Sequence, residues 1–469
     1  MEQSLSLISA QVQFMEDRLA LVHIPLDLYP FFLNPILQIL FHEVSPISEN
    51  QVEEDEEYSE RPRRHQPAFL NFSLTPVECS IMCPRQLANE YFAPLVDKFV
   101  QSNSSGQSRL SISNDDFIAM QVYGEGLEAG QRVLELTSPL AMAGISIFFI
   151  STYFSDYIIV PLRSKTQVIE ALEKRGFQFE MTTEAFINNN QAQYNSCFSP
   201  MSSRSASSLG SPPATPPPSS LDELQARTFC SLRKHHIVPS VDRSLRLVQC
   251  AAHHRYSSDT SSISILRDAL TTALVVDKPR FLSLTLTAAD PAASLLLEKR
   301  LLPRFSSDPS ATADSDDDMS LLLGSKEEIL VPIMLDLRKL PLEASGIVCG
   351  VAGRLADATH ARGDDTDLSA ILSHSWNGGS SSFDSAIKNF LSSSHGSGGP
   401  VRPFGTSPGY KTHRLEPDMD PYMDAVEISF LSTARAGTII VGEHELHRAV
   451  DALEAESHEP EKAIAALHI

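Results

Sequence analysis

Phe149-Ile150-Ser151-Thr152 and Ile158-Ile159-Val160 return as Phe430-Leu431-Ser432-Thr433 and Ile439-Ile440-Val441, both at a shift of 281 residues (430 − 149 and 439 − 158). In each copy two apolar, β-branched runs flank a short turn, which is the pattern of a hairpin buried on both faces. A second match lies upstream. Phe69-Leu70-Asn71-Phe72-Ser73-Leu74-Thr75 recurs as Phe281-Leu282-Ser283-Leu284-Thr285-Leu286-Thr287, a shift of 281 − 69 = 212. Leu127-Glu128-Ala129 recurs as Leu342-Glu343-Ala344, a shift of 342 − 127 = 215. Matches in one order along the chain identify a tandem duplication. The step from 215 to 281 places about 66 extra residues (281 − 215) in the second copy.

Each half divides again. Arg18–Ile24 alternates as a strand, Asn34–Phe41 has helical apolar spacing, Phe69–Leu74 and Cys79–Met82 are strands, and Gln86–Val96 is a second helix. The order repeats with strand Phe117–Val122, helix Arg132–Ala143, hairpin Ile145–Ile150 and Asp156–Val160, helix Thr166–Lys174 and a closing strand Phe177–Phe179. The second half follows with Leu247–Cys250, Ile263–Val276, Phe281–Leu286 and Ser294–Leu297, then Ile329–Leu335, Gly346–Ala356, Val426–Leu431, Thr438–Val441 and Glu445–Leu453. The second unit shows the whole order β-α-β-β-α-β, and the chain reads as four copies of that one module. The expected fold class is α+β, four ferredoxin-like modules in two tandem halves with long disordered linkers and insertions.

The tracts between the modules have another composition. Residues 183–240, with Ser211-Pro212-Pro213-Ala214-Thr215-Pro216-Pro217-Pro218, read as a disordered Ser/Pro-rich linker. Residues 304–326, with Asp314-Ser315-Asp316-Asp317-Asp318, read as an acidic loop, and about 359–424 as a Gly/Ser-rich insertion. Ser199-Pro200, Ser211-Pro212 and Thr215-Pro216 have the form of proline-directed phosphorylation sites.

Among 469 residues, 37 Lys+Arg stand against 59 Asp+Glu, a formal charge of −22. That acidity excludes a phosphate-backbone binder, and one Trp leaves little for base stacking, so no nucleic-acid partner is expected. Six scattered cysteines without a CxxC pair point to free thiols in a reducing, cytoplasmic setting. Cys79 and Cys83, four apart on one strand, share a face and read as core thiols. The start of the sequence has no signal-peptide pattern, and the apolar run Ala141–Leu162 carries polar residues at its centre, so no membrane partner is expected. No GxSxG, HExxH or P-loop pattern occurs, and His235-His236, Cys250 and His253-His254 lack a second Cys pair. The expectation is no catalytic residue, no metal and no cofactor.

Two places can carry binding. Leu342-Glu343-Ala344-Ser345-Gly346-Ile347 opens a helix whose first N–H groups favour an anion such as an amino-acid carboxylate. It is equally the form of an ordinary loop-to-helix junction. The turn Ser151-Thr152-Tyr153-Phe154-Ser155-Asp156 offers two aromatic rings, either as a protein-binding anchor or as packing against a neighbouring module.

Gly144 through Val160 resembles the second ACT domain of the CASTOR family, cytosolic arginine sensors of the TOR growth pathway. Gly346–Leu355 rejoined to Val426–Val441 resembles that family's fourth ACT domain, and Phe31–Phe41 with Phe69–Cys83 its first. The resemblance implies ACT domains at 17–98, 115–182, 243–303 and 327–456. It implies a ligand between the second and fourth, met by Ser146, Ile147, Glu343, Ala344, Ser345, Gly346, Ile347, Thr433, Ala434 and Gly437. Tyr153 and Asp156 match positions that contact a regulatory protein complex upstream of TOR. The family's carboxylate that grips the guanidinium falls at Gly437, and Arg435 lies beside it. A lost charged hydrogen bond costs on the order of 1.5–3 kcal/mol. The expected ligand is therefore a small amino acid, with arginine disfavoured by Gly437 and a different amino acid, or none, left open. The expected function is a non-enzymatic regulatory protein acting through protein contacts, with a homodimer as a further assembly. The alternatives are a scaffold whose ligand site has decayed and a regulatory ACT subunit of an amino-acid biosynthetic enzyme.

Overall fold

The computed structural model describes residues 11–41, 68–96, 109–123, 129–179, 218–252, 260–290, 292–305, 322–342, 344–360 and 428–454. Apart from the last two residues of one helix, these belong to a single unit drawn from residues 1–358 and 426–469. The part of the predicted linker at 183–217, the acidic loop at 306–321, most of the Gly/Ser insertion and the Ser/Thr-Pro dipeptides lie outside the described residues.

The first half opens with β1 (Gln11–Phe14), β2 (Leu19–Ile24), α1 (Leu33–Phe41), β3 (Phe69–Leu74), β4 (Cys79–Pro84), α2 (Arg85–Tyr91) and β5 (Ser111–Ile112). It continues with β6 (Phe117–Tyr123), α3 (Ala129–Met142), β7 (Phe148–Ser151), β8 (Asp156–Pro161), α4 (Lys165–Glu173) and β9 (Gln178–Phe179). The second half has α5 (Leu221–Lys234), β10 (Ser240–Val241), β11 (Leu247–Ala252), α6 (Thr260–Thr272), β12 (Leu282–Thr287), β13 (Ala293–Glu298) and β14 (Leu322–Leu323). It closes with β15 (Leu330–Asp336), α7 (Ile347–His360), β16 (Ile428–Ser432), β17 (Ala436–Gly442) and α8 (Leu446–Glu454).

Four strand groups result, here called modules one to four: β3-β4-β2-β5, β7-β8-β6-β1-β9, β12-β13-β11-β14 and β16-β17-β15-β10. They are not separate sheets. Leu19 pairs with Phe117, Leu247 with Leu330, Ile150 with Leu431, and β3 with the whole of β12. The strands therefore close into a circuit, β3-β4-β2-β6-β8-β7-β16-β17-β15-β11-β13-β12 and back to β3. Closure removes the exposed edges that an isolated four-stranded sheet would present.

The repeats meet each other at the two crossing points. Phe72 pairs with Leu284, its own equivalent at the 212 shift, and Ile150 pairs with Leu431, its equivalent at the 281 shift. An internal pseudo-twofold relates the halves, which is why the same strand sequence serves on both sides of each joint. Beside Phe72, Asn71 donates to Ser283 Oγ (3.2 Å) and Thr285 Oγ1 (3.0 Å), and Ser73 donates to Asn71 Oδ1 (2.8 Å). These buried hydroxyls and the amide satisfy one another, as a buried polar group must.

Strands of the circuit such as β3, β8, β12 and β13 are buried on both faces, which explains their continuous apolar runs. Along β8, Tyr157 and Ile159 face the interior of the circuit with Leu19, Phe69 and Phe281, whereas Ile158 and Val160 face the helices with Leu136, Val168 and Val351. The run Ala141–Leu162 is thus the end of α3 followed by the β7–β8 hairpin. Among the described residues no helix is long and apolar enough to cross a membrane. Cys79 and Cys83 share the outer core, as their spacing requires.

The expected module boundaries need correction. The strand beside β6 is β1, from before module one, and β9 lies outside it, so Phe177–Phe179 does not close module two on β6. Module four is closed by β10, which begins at the last residue assigned to the 183–240 linker. That linker also holds α5, a 14-residue helix capped by Ser220, whose Oγ accepts from Glu223 N (3.2 Å). Its Leu224, Thr228, Phe229 and Leu232 are buried, enough apolar surface to offset the ordering entropy that Ser and Pro upstream cannot.

Candidate functional site

The turn after β15 and the start of α7 form one wall of a cavity of about 60 Å³. Of the positions singled out in the sequence, Ile147, Ala344, Gly346, Ile347, Thr433, Ala434 and Gly437 line it. Ser146 is half-buried and Ser345 exposed, and neither is among the lining residues. Glu343 lies outside the described residues. Phe148, Val351, Phe430 and Ile439 make the remainder largely apolar. No Asp, Glu, Lys or Arg lines the cavity among the described residues.

Gly346 holds the corner. Its φ is +82°, a left-handed conformation that glycine adopts without steric cost. A Cβ there would lie 3.1 Å from Leu224 Cδ1. Thr228 Oγ1 donates to the Gly346 carbonyl (3.3 Å), so α5 braces the loop from behind. The first N–H groups of α7 have no intrahelical partner, and Ile347 and Val348 bring that helix end to the cavity. A Cβ at Gly437 would meet only Leu337 Cδ1 at 3.5 Å and Leu335 Cβ at 3.9 Å, ordinary contacts. The small residue is therefore not imposed by packing.

The β16–β17 turn is held from outside the cavity by a buried carboxylate. Glu78, fully buried, accepts at Oε1 from Thr433 Oγ1 (2.6 Å) and from Arg435 N, and its Oε2 is bonded to His23 Nδ1. Ala434 N donates to Ser80 Oγ (3.4 Å). Module four's turn is thereby fastened to module one. The β7–β8 turn is fastened to module three in the matching way: Tyr153 N donates to Ser294 Oγ (2.7 Å), and Asp290 accepts from Tyr157 OH (2.7 Å) and Gln121 Nε2 (3.2 Å). Burial raises the Asp290 carboxyl above its ordinary range, against hydrogen bonds led by that from Tyr157. At the cavity's other flank, the hydrogen bond from Arg338 lowers the Asp336 carboxyl.

Tyr153 is half-buried, its ring against Phe154 (centroids 5.1 Å apart) and close to Gly324 of module three. Asp156, expected at a partner surface, is instead buried, and its Oδ2 accepts from Arg132 Nε (2.6 Å). That carboxylate faces its own helix α3 and is not presented to a partner in this conformation. Among the described residues no cluster of three or more His, Cys, Asp or Glu is arranged to hold a metal.

Sequence reading missed α5, Glu78 and Asp290. For α5 the signal was present: Ser220 and Glu223 have the spacing of a capping box just before an apolar pattern. Glu78 and Asp290 carried none, because a single acid in a turn reads as solvated until its partners arrive from residues hundreds of positions away.

Residues 112–174 match the ACT domain family, a span that runs from β5 through α4. ACT domains are regulatory modules that bind small amino acids. Among solved structures, the chain is similar to protein Atu0741 from Agrobacterium tumefaciens, with 14% identity over 37% of this chain and 95% of that one and a TM-score of 0.22. It is also similar to aspartate kinase from Synechocystis, with 11% identity over 97% of this chain and a TM-score of 0.26. This chain spans 56% of that kinase's length. None of the curated proteins matches.

Proposed function

We propose that all four modules are ACT domains and that the chain is a non-enzymatic regulatory protein binding a small uncharged amino acid between modules two and four. One observation carries this reading. Seven positions expected from opposite halves of the sequence, from Ile147 to Gly437, surround one cavity. The ligand's carboxylate meets the N–H groups that open α7, and its side chain meets Val351, Phe430 and Ile439. A guanidinium finds no carboxylate among the described lining residues, which disfavours arginine.

The signal is a population shift. Sites that bury an ordinary ligand measure about 300–1,000 Å³, so a cavity of about 60 Å³ admits a ligand only as the β16–β17 turn moves outward. That turn hangs from Glu78, so occupancy biases the packing of module four on module one. Partner proteins read that packing. By the resemblance of the hairpins, the partner is a regulatory complex upstream of TOR.

The test is a thermal-shift screen with the twenty amino acids, followed by calorimetry. The expected result is stabilisation by a small uncharged amino acid, abolished by Ile147→Trp, which fills the cavity. The small volume favours the scaffold reading as the second one, and that reading predicts no shift with any amino acid at millimolar concentration.

A further inference from the structure

A second and larger cavity, about 470 Å³, opens where modules one, three and four meet. Its walls are Leu26, Tyr29, Leu74, Leu274, Val275 and Met334. It occupies the place in the β3–β12 pair that the first cavity occupies in the β7–β16 pair. Each lies against the loop after a module's first core strand, the start of the next helix and a hairpin threonine, Thr75 here and Thr433 there. Each is completed by the segment entering the partner module's edge strand, Lys278–Arg280 here and Ile147–Phe148 there. The two pairs of modules thus present clefts in like positions, and the described lining of this one encloses far more space.

The chemistry of the mouth differs from that of the first cavity. Arg280 is occupied, donating to Asp242 Oδ2 (2.7 Å) and Ser244 Oγ (2.8 Å). Lys278 is exposed and makes no ion pair among the described residues. It stands at φ +46° directly after a π-helical turn, Ala273–Asp277. Such turns and left-handed non-glycine residues cluster at functional sites. On the wall, the buried Tyr29 hydroxyl has no hydrogen-bond partner among the described residues. The site thus offers an apolar chamber of ligand size with one uncommitted ammonium at its entrance, in a chain of net charge −22.

We infer that this cavity is a binding site for an apolar monocarboxylate of the medium-chain fatty-acid class, its tail between modules one and three and its carboxylate on Lys278. The inference is independent of which amino acid, if any, enters the first cavity.

The experiment is calorimetric titration of the full chain with decanoate below its micelle concentration, with decanol and decyltrimethylammonium as comparisons. One-to-one saturable binding of decanoate is expected, with decanol at least about tenfold weaker, the loss set by one charged hydrogen bond, and the cation not binding. Lys278→Glu, an exposed change, should weaken decanoate by at least the same factor. Val275→Trp, which fills the cavity from its exposed rim, should abolish binding, while Ile147→Trp leaves it unchanged. Absence of saturable decanoate binding overturns the inference, and so does equal affinity in the Lys278→Glu protein. A concentration-dependent dimer that Val275→Trp dissolves, without decanoate binding, also overturns it and assigns the cavity to a second copy of the chain.

Discussion

Removing the Glu78 carboxylate tests the coupling between the candidate site and the far half of the molecule. Glu78 and Thr433 are 0% and 4% exposed and share a hydrogen bond of 2.6 Å across 355 residues of sequence. A hydrogen bond to a charged group contributes about 1.5–3 kcal/mol. Glu78→Ala also strands Arg435 N and His23, which adds about 1–3 kcal/mol for each buried polar group left without a partner. Thr433→Val removes only the hydroxyl. Equilibrium urea unfolding of the wild type, both single variants and the double variant gives the coupling directly. The expected interaction energy is about 1.5–3 kcal/mol, because in the Glu78→Ala background the Thr433 hydroxyl has already lost its acceptor. Strict additivity, within the ~0.5 kcal/mol typical of distant sites, would falsify the claim that this contact fastens module four to module one.

Four further outcomes follow. Gly437→Asp fits locally and restores a carboxylate at the cavity, so calorimetry should show a cationic amino acid gaining roughly ten- to a hundredfold in affinity. Gly346→Ala combines a φ of +82° with a 3.1 Å approach to Leu224 and should lower unfolding stability by about 1–2 kcal/mol. The raised carboxyl of Asp290 means the folded state binds its proton more tightly than the unfolded chain. Its contribution to stability is therefore fully present below the ordinary carboxylate value and is lost as pH rises toward the folded one, and Asp290→Asn should flatten that part of a pH–stability profile. Among the described cysteines, Cys230 is exposed whereas burial pushes Cys83 and Cys250 to about 12 and Cys349 to about 11. Maleimide labelling read by mass spectrometry should modify Cys230 in the native protein and these three only on unfolding.

Much of this architecture was legible because duplicated strands carry long apolar runs. Phe69–Thr75 and Phe281–Thr287 look alike because they form the same joint from its two sides, and the hairpins at Thr152 and Thr433 likewise. Short strands were not legible. Gln11–Phe14 and Ser240–Val241 have too few residues for a period to show, and their partners are fixed by tertiary fit. The cavity positions were legible as a set through the resemblance of the hairpins and the Gly346 loop. The burial of Asp156 was not, since an acid at a strand end reads as exposed until Arg132 on the neighbouring helix is placed beside it.

β1 has a consequence for biogenesis. Phe14 pairs with Met120, so when β1 is made on the ribosome its partner strand is still about a hundred codons away. The same holds for β10, which leaves the ribosome well before the β15 residues it joins. Neither module two nor module four can be finished in the order of translation, and each early strand must wait unpaired, a template for wrong partners, until the second module of its half arrives. Halting translation between residues 24 and 117 should therefore yield a nascent chain whose first strand is open to proteolysis, and that strand should become protected only after β6 has emerged.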